Sequence, residues 1–267
     1  MDDLPDAHFR ELIHPFTGKV THVRVPDRGF SSDFAAIIDS EQGQFFVKAM
    51  FNVPGGRKDS ILRERAINPY VQPLSPRLLW SIDGDEDGWI ILGFSAVDGR
   101  SSRFEPDSPD LPIIVGALNR IAGVPLPPVA RDWPETRWND FAADAKEAEL
   151  FQGDMLLHTD INPSNIIIGE RDVWVVDWSW PTRGAAFIDP ACLALQLIAA
   201  GHTVESAESR VSQCAVWSKS DPAAIDAFAR ANLRMYRTQA KRFPDQAWLG
   251  AMEATAQSWV DYRQGRA

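Results

Sequence analysis

The chain has 267 residues, enough for one large or two modest domains, and its 45% hydrophobic and 24% charged residues are ordinary for a globular protein and do not indicate disorder. A net charge of −10 repels phosphate backbones, which argues against nucleic acid as a main partner and slightly favours cationic small molecules. Acids stand in the opening residues where a secretory signal has lysines, and no apolar run approaches the roughly 20 residues of a membrane span. The expectation is a soluble, cytoplasmic protein with no membrane partner. Its two cysteines, Cys192 and Cys214, lack metal-ligand spacing and read as reduced core thiols.

Taken in order, residues 5–14 carry a short helical pattern, and Lys19–Val25 alternates apolar and polar side chains like a half-buried strand. A loop with Gly29, Phe30, Ser31 and Ser32 follows. Phe34–Asp39 and Gln44–Phe51 read as two strands joined by a turn at Ser40–Gly43. Lys48 sits inside the second of them, where an ammonium is costly to bury unless it meets an anion.

The break at Val53-Pro54-Gly55-Gly56 precedes a helix expected from Asp59 or Ser60 to Asn68, with Glu64 midway and Pro69 beyond its end. Arg77–Ile82 and Trp89–Phe94 are two more strand candidates around an acidic turn at residues 83–88. Residues 15–94 therefore predict an antiparallel sheet of about five strands with one helix inserted after the third.

Around Ser95–Pro112 the composition changes to Gly, Ser, Pro and Asp, the signature of a linker or hinge. Beyond it, apolar residues at three- and four-residue spacing predict helices over Ile113–Ile121, Trp138–Phe151, Pro190–Ala200, Val204–Trp217, Pro222–Arg242 and Gln246–Arg263. The last three should pack through Val216, Trp217, Phe228, Met235, Trp248 and Met252. Trp133, Trp138, Asp140, Trp178 and Trp180 could line a pocket or serve only in packing and at helix starts.

The densest chemistry lies in Leu156–Asp177, LLHTDINPSNIIIGERDVWVVD. Ile166–Gly169 and Val173–Asp177 are short apolar runs around Glu170-Arg171-Asp172, a spacing suited to a hairpin that sets position 165 opposite 177. An amide oxygen from Asn165 and a carboxylate from Asp177 could then converge on Mg²⁺, which prefers hard oxygen ligands. Asp160, on the preceding loop, could accept the proton of an incoming hydroxyl in a phosphoryl transfer. His158 would hold the loop. Asp160, Asn162 and Asn165 beside Pro163 are also good turn formers, and spacing alone leaves both readings open.

HTDINPSN followed by III and VVDW resembles the catalytic-loop and metal-loop pair of the aminoglycoside phosphotransferase family, within the protein-kinase-like superfamily. That loop usually reads His-Gly-Asp-x-x-x-x-Asn, and Thr159 here replaces the glycine. Asp189-Pro190-Ala191 continues the likeness, with Leu193 standing where the family usually has a second aspartate.

The resemblance implies an α+β, two-lobed protein-kinase-like fold. A small antiparallel-sheet N-lobe, residues 1–94, would bind nucleotide. A larger, mainly helical C-lobe, residues 95–267, would carry the catalytic loop, metal loop and acceptor pocket, with the active site in the cleft. By similarity Asp160 is the catalytic residue, and Asn165 and Asp177 bind Mg²⁺. Lys48 holds the phosphates of ATP or GTP with Glu64 as its ion-pair partner. Ser31 and Ser32 cover the phosphates, and the strand exit at Phe94 and Ser95 receives the base.

The implied reaction is γ-phosphoryl transfer to a hydroxyl of an aminoglycoside or other cationic antibiotic. A metabolic kinase for choline, homoserine, a sugar or a thio-sugar shares the same motifs. A catalytically silent nucleotide-binding protein is the remaining alternative.

Overall fold

The computed structural model describes residues 4–25, 32–84 and 88–265. Helix α1 (Ala7–Thr17) starts where the Asp6 carboxylate accepts the Phe9 N–H at 2.7 Å, and it ends at Gly18, whose φ of 64° suits a glycine. Strands β1 (Val20–Arg24), β2 (Phe34–Ser40) and β3 (Gly43–Phe51) precede helix α2 (Gly56–Ile67). Strands β4 (Leu78–Asp83) and β5 (Trp89–Ser95) follow it. All five strands form one antiparallel sheet in the order β1-β2-β3-β5-β4.

The tip of the β4–β5 hairpin at Asp85–Asp87 and the loop residues Gly29, Phe30 and Ser31 lie outside the described residues. Helix α2 begins three or four residues earlier than its polar side chains predict. Gly55, at φ 139°, takes the N-cap position, which moves Asp59 into the first turn, where a carboxylate suits the helix dipole.

The period of two along β3 sets two cores on opposite faces of the sheet. Phe45, Val47 and Ala49 join α1 residues Phe9 and Ile13 on one side. Met50 and Phe46 pack on the other with Ile61 of α2 and Ile90, Leu92 and Phe94 of β5. Lys48 belongs to this second set by alternation, so its side chain leaves the sheet on the side that α2 covers.

The stretch predicted as a linker is ordered by its polar residues. Strand β6 (Arg100–Ser101) pairs with a later strand through Arg100↔Ile168 and Ser101↔Ile167. Ser102 donates its N–H to the carbonyls of Pro163 and Ile166, and Arg100 grips the buried Asp110 with bonds of 2.6 and 2.7 Å. Serine and aspartate there make specific hydrogen bonds, and the composition alone does not distinguish that use from a hinge.

Helix α3 (Leu111–Ala122) comes next, as predicted. The helix predicted over Trp138–Phe151 shrinks to a 3-10 turn at Asn139–Phe141 and a short α4 (Ala145–Glu149). Asp144 accepts the Glu147 N–H and caps α4, which makes a new start where continuous periodicity suggested one helix. Arg230 and Arg234 both reach Glu147, at 2.9 and 2.6 Å.

Strand β7 (Met155–Leu157) precedes β8 (Ile166–Ile168), β9 (Val173–Val175) and β10 (Thr182–Gly184), and β7 pairs with β10. Helices α5 (Ile188–Ala199), α6 (Val204–Val211), α7 (Pro222–Arg242) and α8 (Ala247–Gln264) complete the chain. Helix α6 stops six residues short of Trp217, which instead opens a 3-10 turn at Trp217–Lys219.

Phe228 lies under Trp138, Phe151 and Phe187 at centroid distances of 4.6, 5.5 and 5.6 Å. Met235 and Met252 are buried as expected. Trp248 is 57% exposed, and the fully buried tryptophan of α8 is Trp259, whose indole N–H donates to Glu208 at 2.8 Å. The periodicity singled out an exposed aromatic in the first turn of α8 and passed over the one that faces α6.

The chain divides into two compact units, Met1–Gly99 with Gly169–Trp180, and Arg100–Ile168 with Pro181–Ala267. Among the described residues no helix is long and apolar enough to cross a membrane. Truncating Trp259 to alanine should cost about 3–5 kcal/mol of unfolding free energy in denaturant titration, because the site is closed and its hydrogen bond buried. Trp248→Ala should stay within about 0.5 kcal/mol. Equal losses would contradict the burial described.

Candidate active site

In the first unit, β3 and α2 bring a lysine and a glutamate together in the interior. Lys48 is reached by alternation along the strand. Glu64 lies on the stripe Ser60, Ile61, Glu64, Ile67, the buried face of α2. The Lys48 ammonium stands 2.8 Å from Glu64 Oε2, as the resemblance implies, and also 2.7 Å from Asp177 Oδ1.

A fourth member, Ser179, escaped the sequence reading. It accepts from Lys48 Nζ at 2.8 Å, and its hydroxyl lies 2.5 Å from Asp177 Oδ1 and 3.3 Å from Glu64 Oε2. The available signal was its place two residues after Asp177, because Asp177 turns the backbone at φ 59° and so brings its near neighbour back beside it.

One cation shared by two carboxylates sets the electrostatics. Burial alone would depress the lysine pKa, but Glu64 and Asp177 outweigh it and hold Lys48 well above its usual range. Burial pushes Glu64 up, the Lys48 charge opposes this, and Asp177 adds to the rise. Both directions are upward, at Lys48 through its two carboxylate partners and at Glu64 chiefly through burial. Removing one partner of such a buried pair is far costlier than the net worth of the pair.

In the second unit, the residues after β7 are held from the first turn of α5. The buried Asp189 accepts the His158 N–H at 2.9 Å and the Thr159 N–H at 2.8 Å. Burial raises its pKa, and the two backbone donors pull the other way. His158 Nδ1 accepts the Asp160 N–H at 3.3 Å, so the ring holds the loop.

Asn165 gives its amide hydrogens to Asp160, with 2.9 Å to Oδ2 and 2.9 Å to the carbonyl, and Asn162 Nδ2 lies 3.0 Å from Oδ1. Asn162 also caps the turn Pro163–Asn165 through the Ser164 N–H. The turn-forming and site-forming readings of these asparagines are therefore both satisfied. Asp160 is exposed while Asn165 is buried, so the carboxylate is oriented from behind and open in front.

Ser31 lies outside the described residues, and Ser32 Oγ is buried with no hydrogen-bond partner among them. Phe94 pairs with Phe46 and Leu78 across the sheet, and the Ser95 N–H is committed to the Arg77 carbonyl at 2.8 Å. Asn165 belongs to the second unit and Asp177 to the first.

Among the candidate pocket tryptophans, Trp138 and Trp178 are buried and hydrogen-bonded to Asn232 and to the Val175 carbonyl, which marks them as packing residues. Trp180 is partly exposed under the Arg63 guanidinium. Asp140 is exposed and Trp133 half-buried. Leu193, where the family motif has an aspartate, is buried in the apolar face of α5.

The raised Glu64 pKa has a readable sign. Above the 4.5 of an ordinary glutamate the folded chain still holds a proton that the unfolded chain has released. Its contribution to stability should therefore fall as pH rises through that window. Glu64→Gln has no proton to lose, so its unfolding free energy should be flatter over the same interval. Denaturant titrations of both proteins across that range check this, and a wild-type curve no steeper than that of E64Q would contradict it.

No family model matches the chain, and no curated protein matches it in sequence. Solved structures do match in fold. Aminoglycoside phosphotransferase APH(4)-Ia aligns at 15% identity and TM-score 0.62, over 93% of this chain and 97% of its own. The choline kinase LicA from Streptococcus pneumoniae aligns at 14% identity and TM-score 0.59, over 97% and 95%. Spectinomycin phosphotransferase APH(9)-Ia, solved with ADP and spectinomycin, aligns at 11% identity and TM-score 0.57, over 97% and 94%. The fold, a five-stranded antiparallel sheet followed by a mainly helical remainder, is that of the kinase-like small-molecule phosphotransferases.

Proposed function

We propose that this chain is a small-molecule kinase that transfers the γ-phosphoryl group of ATP or GTP to a hydroxyl of an aminoglycoside or other cationic antibiotic. The observation that carries the reading is the buried Lys48 ammonium bonded to both Glu64 and Asp177, 129 residues away in sequence. A purely structural sheet has no use for a buried lysine and glutamate joined to a half-buried aspartate, and burying such charges is costly unless they serve a charged ligand.

Each unit carries one half of the required chemistry. In the first, which acts as the nucleotide-binding lobe, Lys48 positions the phosphates with Glu64 behind it, and the Ser32 hydroxyl and the strand exit at Phe94 and Ser95 flank the nucleotide. Ser31 would join Ser32. In the second, Asp160 accepts the proton of the acceptor hydroxyl and orients it. Phosphoryl transfer asks little covalent work of a protein and is promoted by positioning and charge neutralisation.

The donor set suits Mg²⁺. Asn165, whose amide hydrogens go to Asp160, would bind the ion through its oxygen, and Asp177 through its carboxylate. Both are hard oxygen donors, and the ion would neutralise phosphate charge. The net charge of −10 and the antibiotic acceptors named for APH(4)-Ia and APH(9)-Ia complexes favour a cationic acceptor. The match to a choline kinase favours choline as the second reading, since it too is a cationic alcohol.

Nucleotide consumption measured over a panel of aminoglycosides, spectinomycin, choline, homoserine and thio-sugars should find one acceptor that is phosphorylated. With that acceptor, Asp160→Asn should lower kcat by about 10²–10⁴-fold with little change in the nucleotide KM. Near-normal turnover of D160N would remove Asp160 from its role. Tight nucleotide binding without product from any acceptor would point to a silent binder.

A further inference from the structure

Thr159 adopts φ 65°, a left-handed backbone that a glycine takes freely and a β-branched residue almost never does. Such a residue persists only where its surroundings over-determine it. Asp189 holds its N–H, and the side-chain hydroxyl and carbonyl are held by one residue, Arg137. Nη2 donates to Thr159 Oγ1 at 3.1 Å, and Nη1 reaches the Thr159 carbonyl at 3.5 Å.

Arg137 is itself fixed from three sides. Its backbone N–H donates to Glu135 Oε1 at 2.7 Å, and Glu135 Oε2 lies 4.0 Å from its guanidinium. The guanidinium sits over the Trp138 ring at 5.1 Å, and that indole is anchored to Asn232. Glu135 is buried and receives the Thr182 hydroxyl at 2.8 Å, and Thr182 stands opposite Leu157 in the β10–β7 pair that leads into the loop.

We propose that Arg137 is a positioning residue for the loop that carries Asp160, acting through Thr159. The inference rests on the phosphoryl-transfer reading above. Both guanidinium bonds fall on the one residue that precedes Asp160, and the Arg137 side chain is 40% exposed, so its ion pair adds little to global stability. Its loss should be felt in where Asp160 points, which is a kcat effect, since small displacements of a reacting group lower turnover steeply.

Arg137→Met removes both donors, and Thr159→Val removes the hydroxyl acceptor, the shorter of the two contacts, while keeping the β-branch. With the acceptor identified above, each should lower kcat about tenfold, leave the nucleotide KM and the melting temperature close to wild type, and raise amide hydrogen exchange in peptides spanning residues 158–165. The double variant should also lose about tenfold, because both changes remove the same link. Unchanged kcat and loop exchange in R137M would overturn the proposal, as would multiplying losses near a hundredfold in the double variant. If the unaltered chain phosphorylates nothing in the panel, the kinase reading fails, while loop exchange in R137M and T159V against wild type still decides whether Arg137 orders the loop.

Discussion

Asp189 is a carboxylate placed where water does not reach, and much of the second unit follows from that. A buried acceptor of this kind must be satisfied by donors, and the two it finds are consecutive backbone N–H groups at the end of β7. Holding His158 and Thr159 from the first turn of α5 fixes where the strand stops and which way the chain leaves it. The His158 ring then receives the Asp160 N–H, and Asn165 closes the loop on the Asp160 carbonyl and carboxylate. A helix terminus, a strand end and a candidate catalytic carboxylate are thus set by one side chain.

The first unit solves the converse problem. Its interior contains a cation, and alternation along β3 leaves no choice about which side of the sheet that cation occupies. Phe45, Val47 and Ala49 fill one face, so Lys48 must emerge on the other, under α2. The stripe that buries Ile61 and Ile67 in α2 carries Glu64 to the same place. Two independent periodicities, two in the strand and 3.6 in the helix, converge on one ion pair.

This is why so much of the chain was legible beforehand. Helices α2 and α7 bury one face and write a 3.6-residue period into the sequence, while β5 and α5 are buried nearly all round and show instead as continuous apolar runs. The Lys48–Glu64 pair followed from motif likeness and was supported by the strangeness of a lysine in an apolar strand. What stayed hidden depends on hydrogen bonds between residues with no period of their own. The order of residues 95–112 rests on Arg100 meeting Asp110, and the break before α4 rests on the Asp144 cap. Ser179 and Arg137 are polar residues in irregular segments, where sequence offers composition but not partners.

The shared ammonium in the first unit has one further consequence. With both acids ionised, the cluster of Lys48, Glu64 and Asp177 carries one positive and two negative charges. A bare polyphosphate approaching it would meet net repulsion, and Lys48 alone could not reverse the sign. A polyphosphate already partnered by a divalent metal would bring the missing positive charge with it. On the reading proposed above, the cluster would thereby favour a metal-partnered polyphosphate through the count of its charges rather than through the shape of a pocket.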